Sequence, residues 1–295
     1  MISLLSKFET HFNQYLTKTQ FQTFSILISL INQYRQVKIE KLATYFPLPI
    51  QFESRRKHIQ RFLVLTGLSI PLIWFPIIGA IIIQQFTTNS SLIIVLDRTQ
   101  WQDKNIFIIS IIWFRHAWPI YWTIFDKKGS SNLQEQKALI RPVIKLLNKY
   151  HIIIIGDREF HSIELATWLK KEKKKGKKVD FALRQKQGSF YHRGGGQYSK
   201  LSEIEIKKGV KQIKMGIKLT KKKGFSNNNL AIHHQRKKRN KGSEQPWYIL
   251  TSLDNVEEVI KVYQKRMGIE IMFKDYKKGG YNIEESVRGE SRMNE

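Results

Sequence analysis

Apolar residues change their spacing twice along this chain, and each change predicts a different kind of element. Up to about residue 90 they recur at helical intervals: Leu4, Leu5, Phe8, Phe12 and Leu16, then FQTFSILISLINQYR, VKIEKLATYF and, past the Pro-containing break FPLPIQ, ESRRKHIQRFL. From residue 91 short apolar runs replace them. Strands are predicted over 92–96, 106–113, 120–125, 152–155 and near 179–183, with helices over 133–150 and 162–173. Residues 185–250 read differently again, with GGG at 194–196, the alternating stretch VKQIKMGIKL and the basic run RKKRNKG at 236–242. A last helix starts near Val256, with Ser252 or Asp254 placed to cap it. Val262, Ile269, Met272, Phe273 and Tyr276 fall on one arc of it, so one side is buried.

Three meandering strands, a helix, a fourth strand, a helix and a fifth strand form an α/β layer. The order matches a ribonuclease H-like core, in which the first and fourth strands are neighbours. The expected organisation is therefore an N-terminal helical, DNA-binding region over 1–90, an α/β catalytic core over 91–184 and 251–295, and a basic β-rich insertion over 185–250. The segment 63–83, LVLTGLSIPLIWFPIIGAIII, carries no charge and is long enough to span a bilayer. Pro71 and Pro76 interrupt it, which favours a buried connector and no membrane association.

Charge sharpens the reading. The 295 residues carry 51 Lys and Arg against 24 Asp and Glu, a formal net charge of +27, and such an imbalance points to a polyanionic partner, nucleic acid first. An A+T-biased coding sequence would enrich Lys, Ile and Asn as well. The chain contains no cysteine, so disulfides, thiolate metal sites and thiol nucleophiles are excluded. A reducing cytoplasm fits, with association to the nucleoid if DNA is the partner. Neither a GxxxxGK[ST] phosphate loop nor a His/Cys zinc spacing occurs, and ATP hydrolysis and zinc chemistry have no support.

Two isolated aspartates end apolar runs: Asp97 in SLIIVLDRTQW and Asp157 in HIIIIGDREF. Near the C-terminus, Tyr263, Arg266, Glu270 and Lys277 stand at offsets that an ideal helix would bring within about 60° of one another, in a row about 21 Å long. Phosphodiester cleavage needs an aligned oxygen nucleophile and compensation of developing charge, and two Mg²⁺ ions about 3.5–4 Å apart provide both. Asp97, Asp157 and Glu270 are the hard oxygen donors such ions take, with Mn²⁺ as a substitute. Arg266 and Lys277 would face phosphates flanking the cut, and Tyr263 a phosphate oxygen. The bland alternatives are turn or cap aspartates and surface Lys–Glu pairs. Trp247 either stacks on an unpaired base or packs against Ile249. Arg55, Arg56 and Arg61 lie on the second helix of a helix–turn–helix pattern, as a recognition helix or as a solvated basic face.

LDRTQW, GDREF and PWYILTS followed by Y-x2-R-x3-E-x6-K at 263–277 resemble bacterial DDE transposases of insertion-sequence family four, over about 53–285. The resemblance implies a ribonuclease H-like fold interrupted by a β insertion, with Asp97, Asp157 and Glu270 binding divalent metal. It implies that Tyr263, Arg266 and Lys277 grip the transposon end and that Trp247 stacks on a base flipped out during hairpin chemistry. Cut-and-paste transposition by a dimer, acting on double-stranded DNA with terminal inverted repeats and on target DNA, is the activity expected. Arg158 and Glu159 of the DRE triplet receive no role. Family members usually continue with further helices where this chain ends in SVRGESRMNE, so the alternative is a truncated, inactive DNA-binding relic.

Overall fold

The structure, a computed structural model, describes residues 5–101, 104–126, 129–220, 227–236, 245–279 and 281. It divides into two compact units, Met1–Gln85 with Ile271–Glu295, and Phe86–Glu270. The basic run beyond Arg236 and the terminal SVRGESRMNE lie outside the described residues.

The first unit contains α1 (Glu9–Phe12), α2 (Lys18–Tyr34), α3 (Ile39–Tyr45), α4 (Phe52–Leu63), a π-helical turn at Ile70–Trp74 and α5 (Phe75–Gln85). Helix α2 starts at a capping box, in which Thr17 and Gln20 satisfy each other's backbone N–H groups. Its apolar face meets α3 and α4 through Leu27, Leu30, Leu42, Phe46, Ile59 and Phe62. The uncharged segment around Pro71 and Pro76 forms the π turn and the first turn of α5, with Ile73 and Ile77 packed beside Phe12 and Leu16. No helix among the described residues is long and apolar enough to cross a membrane.

The second unit is mixed α/β around an eight-stranded sheet: β1 (Ser91–Trp101), β2 (Lys104–Trp113), β3 (His116–Phe125), β4 (His151–Gly156), β5 (Val179–Arg184), β8 (Lys211–Lys218), β9 (Asn227–His233) and β10 (Trp247–Thr251). The order is β3-β2-β1-β4-β5-β10-β9-β8; β6 (Phe190–Gly194) and β7 (Gln197–Lys200) form a separate hairpin. Strands β1, β4 and β5 are parallel, and the other pairings are antiparallel. The sequence of β4, HIIIIG, is buried almost throughout, as a strand covered on both faces must be. Helices α6 (Leu133–Leu146) and α7 (Ile163–Lys174) pack on each other and on β2, β3 and β5, while α8 (Val256–Gln264) lies on β4, β5, β8 and β9.

Several details differ from the sequence reading. Strand β1 does not stop before Asp97: its pairing with β4 ends at Leu96↔Gly156, but its pairing with β2 continues to Trp101. Strand β3 begins before Pro119, because it is an edge strand and the register shift opposite Ile109/Ser110 absorbs a residue with no N–H. Strands β8 and β9, inside the basic segment, extend the main sheet. The cap of α8 is Asn255, which accepts the Glu258 N–H, rather than Ser252 or Asp254.

Candidate active site

Parallel pairing of β1 with β4 up to Leu96↔Gly156 puts Asp97 and Asp157 one residue further along adjacent strands. Asp157 turns into a short 3-10 helix, Arg158–Phe160, and its Oδ1 accepts the Glu159 N–H at 2.8 Å. Gly156 is required there: a Cβ on it would stand 2.8 Å from the Cβ of Phe160. Asp97 Oδ1 accepts its neighbour's N–H, from Arg98, at 2.8 Å.

Glu270 arrives on α9 (Met267–Lys274), and here the expectation of a single continuous helix fails. Helix α8 ends at Gln264, and the chain passes through Lys265 and Arg266 by i→i+3 bonds, Arg266 N–H to Tyr263 O and Ile269 N–H to Arg266 O, each 3.0 Å. Just past the break Gly268 is pressed on the β2–β3 turn, where a Cβ would lie 2.9 Å from Arg115 O. Across this break Arg266 and Glu270 still meet as an i,i+4 ion pair. Lys277 sits in a π turn, Asp275–Gly279, that belongs to the other compact unit.

The break aims Arg266 between two acids. Its Nη1 donates to Asp97 Oδ2 at 3.2 Å and its Nη2 to Glu270 Oε1. Burial pushes the Asp97 carboxyl up to about 6; the Arg98 N–H and the Arg266 cation offset part of this, while Asp157 and Glu270 add to it. Burial alone would lower the pKa of Arg266, but Tyr263, Asp97, Glu270 and Asp157 outweigh it and raise the value. Three carboxylates thus act on one guanidinium, and Asp97 remains short of positive charge. Among the described residues no three His, Cys, Asp or Glu side chains are close enough to hold a metal as they stand. The donor chemistry nevertheless fits a hard divalent cation, since a desolvated carboxyl raised by two neighbouring anions is relieved by added positive charge.

Tyr263 is 2% exposed, and burial raises its hydroxyl pKa while the Arg266 and Arg184 cations beside it offset part of the rise. Its ring meets Trp247 edge to face at 5.2 Å, and the Arg184 guanidinium stands 5.7 Å from the centre of the Trp247 ring. Trp247 is thereby half-buried against Tyr263 and Arg184. Arg184 was missed in the sequence. Its signal was its place at the C-terminal end of the third parallel strand, the sheet edge where α/β folds collect their sites. Arg98 and Glu159 were missed as a pair: Arg98 Nε donates to Glu159 Oε2 at 2.7 Å. With Arg158, His161 and Lys186 they line a cleft of about 670 Å³.

In the first unit, Arg55, Arg56 and Arg61 all lie on α4. Arg55 Nη1 donates to Phe46 O at 3.2 Å and Arg56 pairs with Glu53, so both have intramolecular work, whereas Arg61 is exposed.

No curated protein sequence matches the chain. Among solved structures, the piggyBac transposase in a synaptic complex with hairpin DNA aligns at 12% identity and a TM-score of 0.45, over 85% of this chain and 57% of that one. An Argonaute of Marinitoga piezophila in complex with 5′ OH guide RNA aligns at 13% identity and 0.31, over 76% and 34%. Aa-Ago with externally bound siRNA aligns at 10% and 0.28, over 88% and 43%. The chain spans little more than half of the piggyBac transposase, and likenesses this slight carry no conclusion. The match to a family model is of another kind: the model of the transposase DDE domain covers residues 125–292, which hold Asp157 and Glu270 and begin beyond Asp97. That span is more than half of the chain, and the chain belongs to the transposase DDE domain family.

Proposed function

We propose that this chain is a transposase of insertion-sequence family four that cuts double-stranded DNA at terminal inverted repeats and joins the freed 3′ ends to target DNA by cut-and-paste transposition, acting as a homodimer. The observation that carries the reading is the convergence of acids remote in sequence: Asp97 and Glu270 share Arg266, and Asp157 adds its charge to theirs. The strand order β3-β2-β1-β4-β5, with β1, β4 and β5 parallel, supports a ribonuclease H-like core.

Asp97, Asp157 and Glu270 would hold two Mg²⁺ ions, or Mn²⁺ in their place, which when bound supply an activated oxygen nucleophile and a sink for leaving-group charge. The chain's own residues orient the DNA. Arg266, released from Asp97 and Glu270, is free to pair with a phosphate bidentately. Arg184 and Trp247 offer a cation stacked on an aromatic face, suited to a base and its phosphate together. Tyr263 props the Trp247 ring edge-on and thereby fixes the plane on which a base would stack. Residues 1–90 would supply DNA binding, with Arg61 of α4 facing the duplex, and Lys277 would take a flanking phosphate.

The test is to incubate the protein with a plasmid carrying its gene and flanking DNA, with and without Mg²⁺, and to map every new 3′ end. Mg²⁺-dependent ends at inverted-repeat borders, absent with Asp157→Ala, are expected. Salt-sensitive binding with no new ends in Mg²⁺ or Mn²⁺ would show a DNA-binding relic instead.

A further inference from the structure

Asp97 and Asp157 lie just past the last backbone pairing between their strands, Leu96↔Gly156, so the β1–β4 ladder does not set the distance between their carboxylates. Another connection spans the gap. The N–H groups that hold the two carboxylates, at 2.8 Å each, belong to Arg98 and Glu159. The side chains of these same two residues form an ion pair, Arg98 Nε to Glu159 Oε2 at 2.7 Å, with 28% and 13% of the side chains exposed. A closed path therefore runs from the Asp97 carboxylate through Arg98 and Glu159 to the Asp157 carboxylate.

Each arm of the path is itself fastened. Arg98 Nη1 donates to Asn105 Oδ1 at 2.9 Å and to Gly129 O at 2.7 Å. Asn105, on β2 and 2% exposed, donates in turn to Gly129 O at 3.2 Å. Glu159 Oε1 accepts the Ser131 N–H at 3.3 Å. Guanidinium and carboxylate both have several fixed partners, so the pair has little rotational freedom left to lose and acts as a rigid strut in a partly desolvated site.

We infer that Arg98 and Glu159 are positioning residues: their ion pair sets the separation of the Asp97 and Asp157 carboxylates at the point where the strand ladder stops. This rests on the reading above, in which the two aspartates act together on one metal-assisted reaction. Groups that orient metal-binding carboxylates typically change metal affinity or activity by 10- to 100-fold when lost.

The experiment uses the full chain with Glu159→Gln, Glu159→Ala, Arg98→Ala and the double alanine variant, each checked for folding by its melting curve. Two quantities are read: the Mn²⁺ Kd by electron paramagnetic resonance, and kcat and KM for plasmid nicking. For the alanine variants, a Mn²⁺ Kd raised about 10-fold or more and a lowered kcat are expected, with KM for DNA unchanged. The double variant should be no worse than Arg98→Ala, because the two act as one unit, and Glu159→Gln, which keeps an acceptor for Arg98, should recover part of the loss. A lowered melting temperature with wild-type Mn²⁺ affinity and kcat would mark a purely structural ion pair and overturn the inference. So would additive losses in the double variant. If the alanine variants do not fold, Glu159→Gln alone decides, and wild-type values there overturn the inference. A wild-type protein that neither binds Mn²⁺ nor nicks would bring down the proposed function and this inference together, whereas an active wild type matched by its variants removes only this one.

Discussion

At the scale of single residues, burial governs the charge of Asp97. Its carboxyl is held at about 6 in the folded chain against 3.8 for the ordinary group. A raised carboxyl pKa means that the folded state binds the proton more tightly. Its contribution to stability is therefore complete below pH 3.8 and lost as pH rises through about 6, a swing on the order of 3 kcal/mol. Asp97→Asn, which keeps an acceptor for the Arg98 N–H, should raise the melting temperature of metal-free protein at pH 7.5, and the gain should shrink towards pH 4. A constant difference across that range would show that Asp97 titrates as an ordinary carboxyl. Asp97 and Asp157 were legible as candidates because a lone acid at the end of an apolar run has no amphipathic reason to be there. Arg184 and the Arg98–Glu159 pair were not, since their meaning lies in which strand stands next to which.

At the scale of elements, one glycine and one buried acid show how the helices and strands are held. Gly268 lets α9 settle on the β2–β3 turn, and Gly268→Ala would set a Cβ 2.9 Å from Arg115 O and 3.1 Å from Ile112 Cδ1. Alanine is the better helix former by about 1 kcal/mol, but overpacking of this kind costs about 1–3 kcal/mol. The variant should melt lower and nick more slowly, because Glu270 is carried by the same turn; unchanged melting would show that the helix can shift freely. At the other end of the parallel strands, Asp180 accepts from His151 at 2.9 Å, Lys173 at 2.6 Å and Ser252 at 2.6 Å. Burial would raise its carboxyl pKa, but these bonds outweigh burial and lower it. Its stabilisation is thus present above the ordinary carboxylate range and lost as pH falls through the depressed value. Asp180→Ala should cost about 3 kcal/mol at pH 7, at the low end for a broken buried pair because Lys173 can recover water, and the cost should fall in acid. Equal melting of variant and parent at pH 7 would contradict it. The expectation of one continuous helix through Tyr263, Arg266 and Glu270 failed for an element-scale reason: i→i+3 bonds around Arg266 interrupt it, while Arg266 and Glu270 keep their i,i+4 pairing.

At the scale of the whole molecule, the net charge of +27 dominates any encounter with DNA. Binding to a random duplex should weaken steeply with salt, by a slope of about −0.9 per phosphate neutralised, so six or more contacts cost about 10³-fold between 50 and 200 mM salt. A nearly flat dependence, measured by fluorescence anisotropy, would assign the excess Lys and Arg to composition alone. Arg61→Glu should lower this affinity, while Arg55→Ala should chiefly lower stability, because Arg55 is already spent on Phe46 O.

Hydrophobic spacing by itself determined the main helices of the first unit, the strand and helix order of the second as far as β5, and the two acids that end apolar runs, because period and run length are local properties of the chain. The tertiary structure decided what depends on neighbours: the continuation of β1 past Asp97 by pairing with β2, the extension of the sheet by β8 and β9, and the break at Arg266. It also decided that the guanidinium of Arg266 answers Asp97, since charges remote along the chain attract or repel only once folding has brought them within a few ångströms and excluded water from between them.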